Sequence, residues 1–175
     1  INSFIRNMLK LYDRPRRKMG DENVDVLCAN DAREADRILR LYIQRGYQLI
    51  TLFPTHTADD SSETESSNSE TSRPDTGSSD AHTGVYPDPM LYGHSASSRE
   101  VIGQEYDKVI VVMDSNFYYN EFRELAGRNQ PDPDYLFMRL FYQNITRARS
   151  RLCLVVLNNP EVFETLIRIK NNRLH

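Results

Sequence analysis

Two apolar runs limit what this chain can fold into more than any other feature. "KVIVVMD" (residues 108–114) and "RLCLVVLN" (residues 151–158) show no alternation of polar and apolar side chains. A strand with one face in water alternates, whereas a strand covered on both faces does not, and such strands belong to parallel sheets flanked by helices. Two further runs read as strands: "VDVLCA" (residues 24–29) and "YQLITLF" (residues 47–53), the second stopped by Pro54. Amphipathic segments separate the four. Residues 1–11 repeat Ile1, Phe4, Ile5, Met8 and Leu9 at helical spacing. Residues 32–45 put Ala35, Ile38, Leu39 and Tyr42 on one face, with Asn30 or Asp31 as N-cap and Gly46 as C-cap. A third helix starts at Asp134 and is expected to run to Arg147 or Arg149, with Leu136, Leu140, Phe141, Asn144 and Ile145 in one row. Pro160 opens a fourth, "PEVFETLIRIK". Alternation of this kind predicts an α/β fold with a mostly parallel sheet.

One segment breaks the pattern. Residues 57–80 carry seven acids, one arginine and many serines, with almost nothing apolar. Such a stretch cannot bury enough surface to offset its ordering entropy, so it is expected to be a disordered acidic insertion; a phosphoregulated switch is the alternative. The domain organisation is therefore one α/β domain in two parts, residues 1–54 and 85–175, around an insertion at 55–84. The insertion is net −6 in a chain of net −3, which leaves the foldable part at +3. That mild positive charge suits an anionic partner without identifying one. The basic run from Arg14 to Lys18 is either a phosphate contact or a solvated loop.

Other chemistry is thin. Cys28 and Cys153 lie in separate apolar runs and have no metal-site spacing; they read as small buried hydrophobes in a reducing compartment. His56, His82, His94 and His175 lack ligand spacing, so no metal site is expected. No apolar stretch approaches the roughly 18 residues of a membrane span, and no signal peptide opens the chain, so a cytoplasmic location without membrane attachment is expected. The chain starts on Ile1 rather than Met, as a piece of a longer protein would. "NFYYNEF" (residues 116–122) either packs as an aromatic insertion or stacks bases.

Two clusters remain. "GQEYD" (residues 103–107) enters the strand at 108, and its Gly103 suits a close backbone approach or a turn with positive φ. It lies at an amino end of the sheet, whereas ligands usually bind beyond the carboxyl ends. "TRARSR" (residues 146–151) joins a helix to a strand. Its arginines either complement the helix dipole or hold a transferring phosphate. Spacing alone leaves both readings open for each cluster.

Taken together, "GQEYDKVIVV" and "LFYQNITRARSRLCLVV" resemble motifs V and VI of superfamily 1 (UvrD/Rep-like) helicases. The family patterns are G-x-E-F/Y-D-x-V and Y-V-A-x-T-R-A-R/K-x-x-L. Gly103, Glu105, Tyr106, Asp107 and Val109 match the first, and Tyr142, Thr146, Arg147, Ala148, Arg149 and Leu152 the second, with Phe141 at the apolar position before its tyrosine. Within that superfamily the chain is most similar to bacterial and phage proteins described as Schlafen-type DNA/RNA helicase domains. Residues 99–170 carry the likeness, and residues 1–53 share only the order of elements. The resemblance implies a P-loop NTPase-like, RecA-like C-terminal motor domain of an ATP-dependent DNA or RNA helicase or translocase. It implies that Arg147 is an arginine finger reaching ATP held with Mg2+ on an N-terminal RecA-like domain of the same protein. It further implies nucleotide contacts for Gly103, Gln104, Glu105 and, more weakly, Arg149, and nucleic-acid contacts for Ser98 and Arg99. Arg151 is expected to be structural.

The chain departs from the family in two respects. Arg99 stands where the family often has histidine, and no G-x-x-x-x-G-K-[ST] phosphate loop or Asp-Glu strand end occurs anywhere in the sequence. This chain alone is therefore expected not to hydrolyse ATP. The rival readings are a degenerate, non-catalytic RecA-like module that binds nucleic acid or regulates, and a plain α/β domain whose arginines only cap a helix.

Overall fold

The computed structural model describes residues 1–11, 22–52, 95–98, 100–128 and 134–171. The basic run 14–18, the acidic insertion and Arg99 lie outside the described residues. The elements run α1 (Asn2–Leu9), β1 (Val24–Ala29), α2 (Ala32–Gln44), β2 (Gln48–Thr51), β3 (Ser95–Ser97), β4 (Tyr106–Met113), β5 (Phe117–Tyr119), β6 (Leu125–Gly127), α3 (Asp134–Ile145), β7 (Ala148–Leu157) and α4 (Pro160–Lys170).

Five strands form one sheet in the order β1-β7-β4-β2-β3, and every neighbouring pair is parallel. The unalternating runs explain this arrangement. β7 and β4 occupy the interior of the sheet, where apolar residues are buried on both sides. One face packs Val109, Val111, Leu152 and Leu154 against α1, α3 and α4. The other packs Ile110, Cys153 and Val155 against α2. The β1-to-β2 connection moves one way across the sheet with α2 on one face, and the β4-to-β7 connection moves the other way with α3 on the opposite face. Opposite direction with opposite face is one handedness, as parallel crossovers require.

Local chemistry sets most boundaries. Asp31 is the cap of α2, accepting from the Glu34 N–H at 2.7 Å, while Glu34 accepts from the Asn30 N–H. Gly46 adopts φ +83°, its N–H donates to Ile43 O, and the Tyr47 N–H donates to Tyr42 O, which is a complete Schellman ending. Asn159 caps α4 with Pro160 at its first turn.

Four expectations need correction. α3 ends at Ile145, short of Arg147, because the Thr146 hydroxyl donates to Tyr142 O (2.8 Å) and Gln143 O (3.0 Å) and the chain then turns. β7 starts three residues earlier than the apolar run, at Ala148, since it pairs with the early-starting β4. Leu136 is 41% exposed, and Phe137 takes the packed place in the α3 row. The aromatic-rich connection after β4, to which the sequence assigned no strand, forms a two-stranded antiparallel unit, β5–β6. Two of its four aromatic residues pack on the core: Phe117 lies against Phe137 and Phe141 at 4.8 and 4.7 Å between ring centres, and the Tyr119 hydroxyl donates to Met8 O. Phe122 alone of its phenylalanines stands 68% exposed.

Candidate functional site at the amino edge of the sheet

The two motif-bearing segments meet at the amino ends of β4 and β7. Val101 to Gln104 form a turn closed by the Gln104 N–H donating to Val101 O at 3.1 Å. Its third residue, Gly103, has φ +78°, the left-handed region that L side chains resist. A Cβ there would meet nothing within 4 Å, so glycine is used for its dihedral and not for space. The turn presents Gln104 and Glu105, both exposed, just before β4.

Arg147 sits in the short link between α3 and β7. Its Nε donates to Gln143 O at 3.2 Å and its Nη1 donates to Gln104 O at 3.3 Å. The Tyr106 N–H donates back to Arg147 O at 2.9 Å, which joins the two segments through their main chains as well. A guanidinium has five N–H donors, and these bonds use two of them. Nη2 has no bonded partner among the described residues. The Tyr106 hydroxyl donates to Gln104 Oε1 at 2.7 Å and braces the turn.

Arg149 lies on β7, not on the helix. Its Nε is 3.8 Å from a Glu105 carboxylate oxygen, and both side chains are more than 60% exposed. A pair this long and this exposed contributes little stability. It stands at an irregularity in the sheet. Tyr106 pairs with Ala148 and Lys108 with Arg151, so two steps along β4 face three along β7. That extra residue is a bulge, a device that re-aims side chains and is common beside active sites. Beyond the bulge, burial and then the Asp25 charge hold the Tyr47 phenol above its usual range, with Arg151 acting in the opposite direction.

Ser98 is in a different situation. It is 1% exposed, its hydroxyl donates to Thr51 O and Leu52 O, and its N–H donates to Thr51 O. Its side chain therefore fastens the turn after β3 to the end of β2 and faces no solvent. Glu100 closes the same turn, accepting from the Ser97 N–H at 2.6 Å, and this bond holds its carboxyl below the usual range.

Two residues that the motif reading passed over connect these parts. Gln143 Nε2 donates to Ser98 O at 2.5 Å, while its own carbonyl receives Arg147. Asn144, fully buried, donates to Thr51 O at 3.3 Å. The signal was present in the sequence: Asn144 shares the apolar row of α3, where an amide demands a partner. The structure thus brings together Gly103, Gln104, Glu105, Arg147 and Arg149 at one exposed edge, and links Ser98 to them through Gln143.

A shallow groove of about 460 Å³ flanks the cluster, lined by Gly46, Tyr47, Ser95, Tyr106, Asp107 and Lys108 among others. Among the described residues, no group of three or more His, Cys, Asp or Glu side chains is arranged to hold a metal ion. No described helix is long and apolar enough to cross a membrane. Models of known families, curated proteins and solved structures yielded no match to this chain.

Proposed function

We propose that the chain is the RecA-like C-terminal motor domain of a cytoplasmic, ATP-dependent superfamily 1 helicase or translocase acting on DNA or RNA. The observation that carries this reading is the Arg147 guanidinium. It is held by the carbonyls of Gln104 and Gln143 at an open edge, with Nη2 left over. Two carbonyls aim the group without neutralising its charge, as a contact to a phosphate supplied from outside the domain requires.

The residues present suit one side of a nucleotide site. They include no glycine-rich loop of backbone N–H groups and no lysine to cradle the β- and γ-phosphates, so ATP and Mg2+ would be held chiefly by a partner RecA-like domain of the same protein. Arg147 stabilises the charge on the phosphoryl group in transfer. Glu105 contacts the nucleotide sugar or the water shell of the metal. Gly103 and Gln104 form the loop between nucleotide and nucleic acid. Arg149 balances Glu105 and supports the nucleotide edge. The turn after β3, fastened by Ser98, adjoins the nucleic acid, with Arg99 as a further contact. The bulge in β7 beside Arg149 supports a site here, since it breaks regular pairing where the two motifs meet.

The test is ATP turnover by the full-length gene product, wild type against Arg147→Ala. Loss of an arginine finger lowers turnover by about 10³–10⁵-fold, with nucleotide binding and melting temperature nearly unchanged. Equal turnover in the two proteins overturns the assignment.

A further inference from the structure

We infer that Gln143 is a positioning residue that couples the turn after β3 to the arginine finger; the inference rests on the proposed motor function. Two amides, Gln143 and Asn144, follow Tyr142 at the end of α3. The two amides point into the fold rather than into water. Asn144 is fully buried and Gln143 is half-buried. Both bond to the same small region: Gln143 Nε2 to Ser98 O at 2.5 Å and Asn144 Nδ2 to Thr51 O at 3.3 Å. Ser98 itself bonds to Thr51 and Leu52, so the end of β2, the turn and the last turn of α3 form one hydrogen-bonded unit.

The arrangement is not what stability alone would select. Among the described residues the Asn144 Oδ1 is buried without a hydrogen-bond partner, and an orphaned acceptor costs free energy that a methyl group at this site would not. A buried amide left half-satisfied calls for an explanation beyond packing. The geometry here is a relay through one residue. The side chain of Gln143 holds the turn, and its carbonyl, four residues before Arg147, receives Arg147 Nε at 3.2 Å. A displacement of the turn is therefore delivered to the guanidinium through a single peptide unit. A single strand of nucleic acid seated beside the turn sets the position of Arg147, and ATP bound against Arg147 sets the position of the turn, because coupling between sites is reciprocal.

The experiment compares Gln143→Met, which keeps side-chain length and the main-chain carbonyl but removes the donor, with Gln143→Lys, which restores a donor of similar reach. In the full-length protein, ATP turnover is measured with and without saturating oligodeoxythymidylate or oligouridylate, alongside the KM for ATP and the melting temperature. Gln143→Met is expected to lower the stimulation ratio by at least about fivefold, the lower end of ordinary coupling between sites, with KM for ATP little changed. Gln143→Lys is expected to recover most of the ratio. A role in packing alone would lower the melting temperature and leave the ratio intact; an intact ratio in Gln143→Met overturns the inference. If Arg147→Ala instead turns over ATP like the wild type, the motor reading itself falls and the relay falls with it. A dead Arg147→Ala beside a fully stimulated Gln143→Met removes the relay alone.

Discussion

The two ends of the parallel sheet each carry a polar side chain that ties loops together, and the two are completed differently. At the carboxyl end, Asn159 is closed: its Nδ2 donates to Asp114 O and Phe117 O at 3.0 and 2.7 Å, and its Oδ1 accepts from the Val162 N–H. Asp114 beside it is occupied by Asn116, whose N–H and Nδ2 both donate to its carboxylate. At the amino end, Arg147 is bonded through Nε and Nη1, and its Nη2 has no bonded partner among the described residues. Parallel sheets ordinarily receive ligands beyond their carboxyl ends. Here the ends of β4 and β7 on that side are tied together by Asn159, which bonds Asp114 and Phe117, and among the described residues Arg147 keeps a spare donor at the opposite edge. A polar group with every partner inside the fold is a fastening. One with a donor left over among the described residues is what the proposed phosphate contact requires.

That contrast is open to direct attack. Its largest expected effect is functional: Arg147→Ala should lower ATP turnover of the full-length protein by about three orders of magnitude or more, yet cost only about 1 kcal/mol of stability for two lost bonds to carbonyls. Asn159→Ala should do the reverse. It strands two carbonyls and the first N–H groups of α4, so an unfolding titration should register a loss of about 3 kcal/mol, while turnover per folded molecule stays near wild type. A catalytic defect in folded Asn159→Ala would erase the distinction between the two ends. Gly103→Ala is smaller. The φ of +78° penalises any side chain by about 1 kcal/mol, although space is available. Chemical denaturation should show that loss, and a gain in stability would mean the turn relaxes to negative φ.

How far these ends were legible in the sequence follows from what each depends on. The strand assignments in "KVIVVMD" and "RLCLVVLN" and the parallel arrangement rest on burial on two faces, which leaves an unbroken apolar run. Caps such as Asp31 and the Pro160 start of α4 rest on one or two adjacent residues, and the bounds of β1 and α4 match the sequence reading to the residue. β3 was missed because "SAS" has no apolar pattern and gains its place by pairing with β2, a contact distant in sequence. The end of α3 was overrun because a hydroxyl back-bonding at Thr146 competes with helical propensity without changing the periodicity. At the site, only the resemblance of the two motifs suggested that residues 104 and 147 meet. Spacing could not, since 43 positions separate them. Gln143 and Asn144 were visible as amides at the inward end of an amphipathic helix, but their partners in the turn after β3 were not.

The smallest expected effect concerns Arg149, and it tests whether the amino edge acts as a site or as scattered charge. Arg149 and Glu105 stand 3.8 Å apart with both side chains mostly in water. An exposed pair of this kind contributes under about 1 kcal/mol and is screened by salt. Arg149→Ala should therefore leave the unfolding midpoint almost unchanged at both low and high ionic strength. If the pair exists to hold the Glu105 carboxylate toward the nucleotide sugar or the water shell of the metal, its removal should instead appear as a raised KM for ATP in the full-length protein, because a loosened carboxylate loses that contact. The double variant Arg149→Ala with Glu105→Gln should then raise KM no further than Glu105→Gln alone. Additive changes in KM would mean that the two residues act separately, and that only Arg147 and its carbonyl supports make this edge different from the closed end of the sheet.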